Sequence, residues 1–231
     1  MKKSILALSL AAASLLLSHN AFAQYTIQVG GAYVDPNSTA GVAVGPLTPV
    51  GAISLTVKPQ STVFFSIARE INDQWDLQLS LGLPPTHDVA LKVTKASALP
   101  ASVAAQDGVI ISKVRQVAPT LFANYKFGEA SSPLRPFVGL GINYTTFDQT
   151  ESTAANNAIN GGATNIKLSD SWGLAWQAGA VYKFDKQWSM SGTYSTADVN
   201  SVITTNTLGI ERKVDISFHP AVFILAVGYS F

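Results

Sequence analysis

Beyond residue 24 the chain falls into segments in which apolar and polar residues alternate, joined by connections that are short and long in turn. Period-two alternation bounded by Gly, Pro, Asn and Asp marks strands. Eight such strands are expected, at 25 to 34, 61 to 71, 75 to 83, 113 to 127, 135 to 147, 168 to 184, 188 to 199 and 212 to 231. In the third, Trp75, Leu77, Leu79, Leu81 and Leu83 share one face and Asp76, Gln78, Ser80 and Gly82 the other. In the last, Ala221, Phe223, Leu225, Val227, Tyr229 and Phe231 share a face, because successive strand side chains point to opposite sides. No later stretch reaches about eighteen unbroken apolar residues, so a membrane would have to be crossed by a closed barrel, whose strands satisfy one another's backbone groups.

The first 23 residues have the layout of an export signal that is cut off. Lys2 and Lys3 form a positive start, Ile5 to Leu17 an apolar run too short to span a bilayer, and Ala21-Phe22-Ala23 a small-x-small cleavage site. Residues 24 to 231 then form one barrel domain. Cleavage removes two lysines and no acid, leaving 13 Lys+Arg against 14 Asp+Glu. Near-neutrality gives no reason to expect nucleic acid as a partner. With no cysteine in the chain, disulfides, thiolate nucleophiles and cysteine metal sites are excluded.

The short connections are Asn72-Asp73-Gln74, Gly128 to Leu134 and Asp185-Lys186-Gln187; the long ones are 35 to 60, 84 to 112, 148 to 167 and 200 to 211. Outer-membrane barrels keep short turns on the periplasmic side and long loops outside, so both ends of the barrel domain are expected to be periplasmic. Trp75, Phe127, Phe184, Trp188 and Phe231 then gather at the periplasmic interface as an aromatic girdle. A soluble sandwich or lipocalin-like barrel is the main competitor, but its outer face would be polar. The fold expected is therefore an all-β, eight-stranded antiparallel transmembrane β-barrel. It would sit among outer-membrane lipids and lipopolysaccharide, with the strand ending at Phe231 as its contact for the barrel-assembly machinery.

Eight strands enclose room for side chains or one small ligand, not for a water-filled channel. Inward positions of the outer half are Ala32, Val34, Phe64, Phe122, Ala175, Val222 and Ile224; those of the periplasmic half include Gln28, Asp76, Gln78, Asn124, Lys126 and Lys183. This is an apolar cup over a polar floor, interrupted by Thr62, Thr193 and Ser195. Small hydrophobic molecules favour such a cup, and a charged floor opposes their onward passage. Pro119 offers a way out sideways: it lacks the backbone donor and must break one ladder contact in a barrel that has no edges. At ~3.3 Å per residue and ~40° tilt it stands about 20 Å above the Gly128 turn, in the outer half of a ~25 Å band. The competing interpretation is a tolerated bulge near the rim. Gly139 and Gly141 either leave space for a ligand or let a narrow barrel curve and pack.

His87 and His219 are the only histidines after residue 24. Neither belongs to a nucleophile motif or a metal-ligand spacing, and a solvated loop histidine is the plain interpretation of His87. No catalytic residue, metal or cofactor is expected.

Several stretches resemble the OmpW family of small outer-membrane barrels: Ala118-Pro119-Thr120-Leu121, Tyr125-Lys126-Phe127-Gly128, Arg135 to Phe147, Asp170-Ser171-Trp172-Gly173 and the closing strand. The resemblance implies an eight-stranded barrel that passes small hydrophobic molecules into or across the outer membrane, with an exit through the wall near the strand proline. It also implies an alternative, a structural or surface-reception barrel, receptor-like for colicin or phage, which would act through loops 35 to 60 and 84 to 112. Apart from the resemblance, some eight-stranded outer-membrane barrels are lipid-modifying enzymes, so an enzyme using His87 is a further and weaker alternative.

Overall fold

The computed structural model describes residues 24–46 and 49–231; the expected leader, 1–23, lies outside the described residues. The chain runs through β1 (Tyr25–Asp35), β2 (Ser38–Ala40), β3 (Ile53–Val57), β4 (Gln60–Glu70), β5 (Trp75–Gly82), β6 (Thr86–Val93), β7 (Ile110–Val117), β8 (Thr120–Lys126), β9 (Leu134–Ser152), β10 (Thr164–Leu168), β11 (Ser171–Lys183), β12 (Trp188–Ala197), β13 (Val199–Thr207), β14 (Ile210–Phe218) and β15 (Ala221–Ser230). Eight of these close an antiparallel barrel in the order β11, β12, β15, β1, β4, β5, β8, β9, with β9 returning to β11 from Leu134 to Thr145. Closure up to the level of Ser80↔Thr120 leaves no free edge between β5 and β8, which is what hydrocarbon requires of a sheet.

Alternation turns one set of side chains outward. Val29, Phe65, Leu140, Leu174, Met190 and Leu225 are exposed around the barrel, Leu140 and Leu174 at 75 % and 72 %. A water-soluble barrel buries such residues, so this surface is built for lipid. Aromatic contacts band the short-turn end, as in Trp75 with Tyr125 and Trp188 with Tyr229, and a second band higher up joins Trp176, Tyr194 and Phe223. The short turns are closed by their own side chains. Asn72 accepts hydrogen bonds from the Gln74 and Trp75 amides, and Asp185 from those of Gln187 and Trp188, which holds the Asp185 carboxyl below its ordinary range. At the third turn the buried Arg135 guanidinium donates to the carbonyls of Lys126, Phe127 and Gly128.

Two expected strands are divided into long pieces, and both of these breaks fall at a proline; two others lose only an end residue, Leu168 to β10 across Ser169-Asp170 and Val199 to β13 across Asp198. The segment 113 to 127 divides at Ala118-Pro119, so that β7 leaves the barrel and pairs with β6 and with the upper part of β9. The segment 212 to 231 divides at His219-Pro220 into β14 and β15. Neither proline has an N–H to continue the ladder. The long connections are also more ordered than loops. One sheet, β3-β6-β7, carries on from upper β9, and a second, β10-β13-β14-β2, stands against it. Between them lies a core of Ile166, Val199, Ile203, Val214, Ile216 and Phe218. A two-residue turn, Leu208-Gly209 with φ of 52° and 85°, joins β13 to β14, the positive-φ geometry that matches strand twist in a tight hairpin.

Candidate ligand cavities and the wall beside Pro119

The inward side chains of the lower barrel form a hydrogen-bonded plug. Gln78 donates to Gln28 (3.1 Å) and Ser66 (3.1 Å), and Ser66 donates to Gln28 (2.9 Å). Gln177 reaches across from β11 to Gln78 (2.8 Å) and Asn124 (2.7 Å), while Asn124 donates to Asp76 (2.7 Å) and Gln78 (3.1 Å). Lys126 closes the layer below with Glu70 (2.8 Å) and Asp76 (3.0 Å). Buried amides that satisfy one another in this way fix their rotamers and leave no apolar path through. Gly139 belongs to the plug: a Cβ on it would overlap the Asn124 amide and touch Gln177. Gly141 does the same for Phe122. Both glycines therefore make room for neighbouring side chains rather than for a ligand. Beneath the plug a cavity of about 690 Å³ opens at the short-turn end, where Lys183 lines it with Lys126.

Above the plug lies a smaller chamber of about 130 Å³. All seven residues of the expected cup, Ala32, Val34, Phe64, Phe122, Ala175, Val222 and Ile224, line it. Ala32, Phe64 and Ile224 pack together on one wall; Phe122 and Ala175 pack into the core between the outer sheets. A polar seam crosses the chamber, where Asn143 donates to Thr120 (2.8 Å) and Thr145 donates to Asn143 (2.7 Å). Sequence reasoning passed over this seam and Gln177, although continuing the inward register from Gly139 and Gly141 reaches Asn143 and Thr145.

The chamber wall is incomplete beside Pro119. β5 and β8 pair from Trp75↔Tyr125 up to Ser80↔Thr120 and stop there. The next contacts between the two sides are the Gln116 amide to the Pro85 carbonyl (3.0 Å) and the pair Thr86↔Arg115. Leu83 turns its amide to Val63 on the other neighbour (2.9 Å), and the Pro119 carbonyl accepts from Tyr144 (3.1 Å). Thus no ladder joins 81–84 to 117–119, and Leu81, Gly82, Leu83 and Ala118 from its two margins line the chamber.

A third chamber, about 290 Å³, lies between the two outer sheets and is lined mainly by aliphatic side chains. One core serves both upper chambers: Ile166, Ile203 and Val214 face the outer one, and Phe122, Ala175 and Val199 the inner.

His87 departs from expectation. It is 3 % exposed on β6, with Nδ1 2.9 Å from the Lys58 carbonyl. Because a carbonyl only accepts, Nδ1 carries the proton and the buried Nε2, which has no partner, is a bare acceptor. Burial pushes the imidazole below its ordinary 6.5, against the opposing pull of the Lys58 carbonyl and Asp88. The alternation Thr86-His87-Asp88-Val89 continues the inner face of a strand, so His87 goes inward with Val89. His219 stays exposed at the β14–β15 break, 3.4 Å from Asp198. Among the described residues no group of three or more His, Cys, Asp or Glu side chains stands ready for a metal.

Comparison with known proteins matches the OmpW family over residues 38–231. Outer membrane protein W of Escherichia coli is 30% identical over 224 residues, 95% of this chain and 96% of that protein. The dibenzothiophene metabolism operon protein PahQ of Pseudomonas aeruginosa is 27% identical over 212 residues, 90% of this chain and 88% of the relative. The crystal structure of the outer membrane protein OprG from Pseudomonas aeruginosa superposes with a TM-score of 0.78 at 27% identity, covering 90% of this chain and 95% of that one.

Proposed function

The chain belongs to the OmpW family of outer-membrane barrels, and from that premise we propose that it admits small hydrophobic molecules at its outer mouth and releases them sideways into the membrane beside Pro119. The observation that carries this is the unpaired stretch between 81–84 and 117–119, whose margins are also walls of the apolar chamber. A molecule held by Phe64, Phe122 and Ile224 meets amides and the Lys126 cluster below it, where it would displace satisfied polar groups at a cost of roughly 1–3 kcal/mol each. Sideways, it meets Leu81 and Leu83 and then lipid. The low-cost route for an apolar molecule is through the wall. The name of the relative PahQ associates that protein with metabolism of dibenzothiophene, an apolar aromatic, which agrees with cargo of this kind. Passage needs no chemical step and no cofactor. The leader cut after Ala23 would carry the chain through the inner membrane on its way to the outer one.

Uptake of a labelled apolar compound by cells lacking the protein, complemented at matched surface levels, tests the reading. Wild type should exceed empty vector. Pro119→Ala, which restores an N–H opposite Leu81, should fall toward empty vector. Equal uptake by wild type and empty vector across several apolar compounds would remove the conduit altogether.

A further inference from the structure

The outer chamber differs from the inner one in carrying a charge. Among the described residues lining it, Arg212 is the one charged side chain. On β14 the exposed Glu211, Lys213 and Asp215 take the solvent side, while Val214, Ile216 and Phe218 are buried inward. Arg212 occupies an inward position in that alternation, where an aliphatic residue would complete the core. The chain holds it there. Val44 pairs with Lys213 through two backbone bonds (2.9 and 2.8 Å), and Gly41 donates to the Asp215 carbonyl (2.9 Å). Gly45 then packs on the Arg212 stem so closely that a Cβ would stand 3.0 Å from its Cγ.

Ser112, on β7 in the facing sheet, lines the same chamber, is 4 % exposed and has an Oγ without a hydrogen-bond partner. A buried hydroxyl with no partner costs free energy and calls for an explanation. A guanidinium fork and a hydroxyl donor at the margin of an aliphatic chamber match a carboxylate on a hydrocarbon chain. The bare acceptor Nε2 of His87 has no part in this, since an anion needs donors. The volume of about 290 Å³ equals roughly ten water-sized shares of ~30 Å³, the room that a single short aliphatic chain needs.

We propose that the outer chamber binds an aliphatic molecule bearing one carboxylate, its chain among Leu55, Val89, Leu91 and Ile203 and its head group on Arg212 and Ser112. The site rests on the conduit reading only for the route the molecule then follows. It sorts the cargo: an anionic amphiphile is retained at the mouth, and a neutral hydrocarbon passes without that hold.

The test is equilibrium binding of labelled decanoate and 1-decanol to the full-length barrel in phosphatidylcholine nanodiscs, with empty nanodiscs subtracted. Decanoate should saturate one site. Arg212→Gln should weaken it about tenfold, the loss of one charge-assisted hydrogen bond, Arg212→Lys less than that, and Ser112→Ala about threefold, while decanol changes little in any variant. Unchanged thermal unfolding of the variants checks the fold, and Ser112→Ala should not lower it because that hydroxyl has no partner to lose. Decanoate binding that does not saturate, or that survives Arg212→Gln intact, overturns the site. Saturable binding without protein-dependent uptake in cells would uphold the site and overturn the conduit, and uptake without such binding would do the reverse.

Discussion

The two halves of the barrel share strands, closure and a lipid-facing surface, yet their interiors are opposite. Below, Gln28, Ser66, Gln78, Asn124, Gln177 and Lys126 join five strands in a network that nearly exhausts its own donors and acceptors. Above, Ala32, Phe64, Phe122 and Ile224 leave a chamber whose wall lacks one ladder. The difference arises within single strands. β8 contributes Phe122 to the chamber and Asn124 and Lys126 to the plug; β1 contributes Ala32 and Gln28. Polarity is set by height along each strand, so one barrel holds a plugged end and, above it, a wall that lacks one stretch of ladder. A pore with the same chamber but no plug would leak small solutes, and a plugged barrel with a complete wall would have no exit for apolar cargo.

The comparison breaks most sharply at Lys126. Lys126→Met leaves the Glu70 and Asp76 carboxylates without their cation, Asp76 being only 5 % exposed. Stability to denaturant in lipid should fall by about 3 kcal/mol at neutral pH. Adding Asp76→Asn should recover much of the loss, as a double-mutant cycle would report; a loss below ~1 kcal/mol would mean that water in the lower cavity already screens the cluster. Next is Gln177→Leu, which removes two donor contacts and leaves Gln78 and Asn124 oxygens underused. It should cost about 2 kcal/mol and raise single-channel conductance in planar bilayers without changing uptake of apolar compounds. A fall in uptake would instead tie the plug to the cargo path.

The smallest effect concerns the outer sheets. His87 is held neutral by burial, so its folded pKa lies below the unfolded one. The unfolded chain then binds more protons below about pH 6.5. Stability of the β3-β6-β7 sheet should be complete above that pH and decline as the pH falls through and below it. Hydrogen exchange of the Val89 and Val114 amides should follow that course, and His87→Gln should flatten it. The same profile in wild type and variant would mean that another group titrates.

Much of this arrangement is legible in the alternation itself. Strand five places Asp76, Gln78 and Ser80 on one face and leucines on the other, and that register needs no tertiary information. The seven cup residues follow from the same rule. What escaped were features decided by partners distant in the chain. Gln177 looks like one polar residue on an apolar strand until Gln78 and Asn124 face it from 99 and 53 residues away. The outer sheets escaped because β13, Val199–Thr207, is rich in Asn, Ser and Thr, and because its turn is Leu208-Gly209 rather than a pairing such as Asn-Gly. Residues of this kind suit loops as well as strands, and only the facing core of Ile203 and Ile216 decides between them. His87 escaped for a related reason: beside Pro84-Pro85 it looked like loop, and the Lys58 carbonyl that holds it lies 29 residues earlier.

The central claim is that cargo leaves through the wall above the plug, and closing that wall reversibly tests it most directly. The chain has no cysteine, so Gly82→Cys with Ala118→Cys introduces the only thiols, at positions that would face each other if the β5–β8 ladder continued past Ser80↔Thr120. Bridging them with a short reducible bis-thiosulfonate should bring uptake of a labelled apolar compound down to the empty-vector level, and reductant should restore it. Uptake that continues undiminished through the bridged barrel would contradict lateral exit and send the cargo elsewhere.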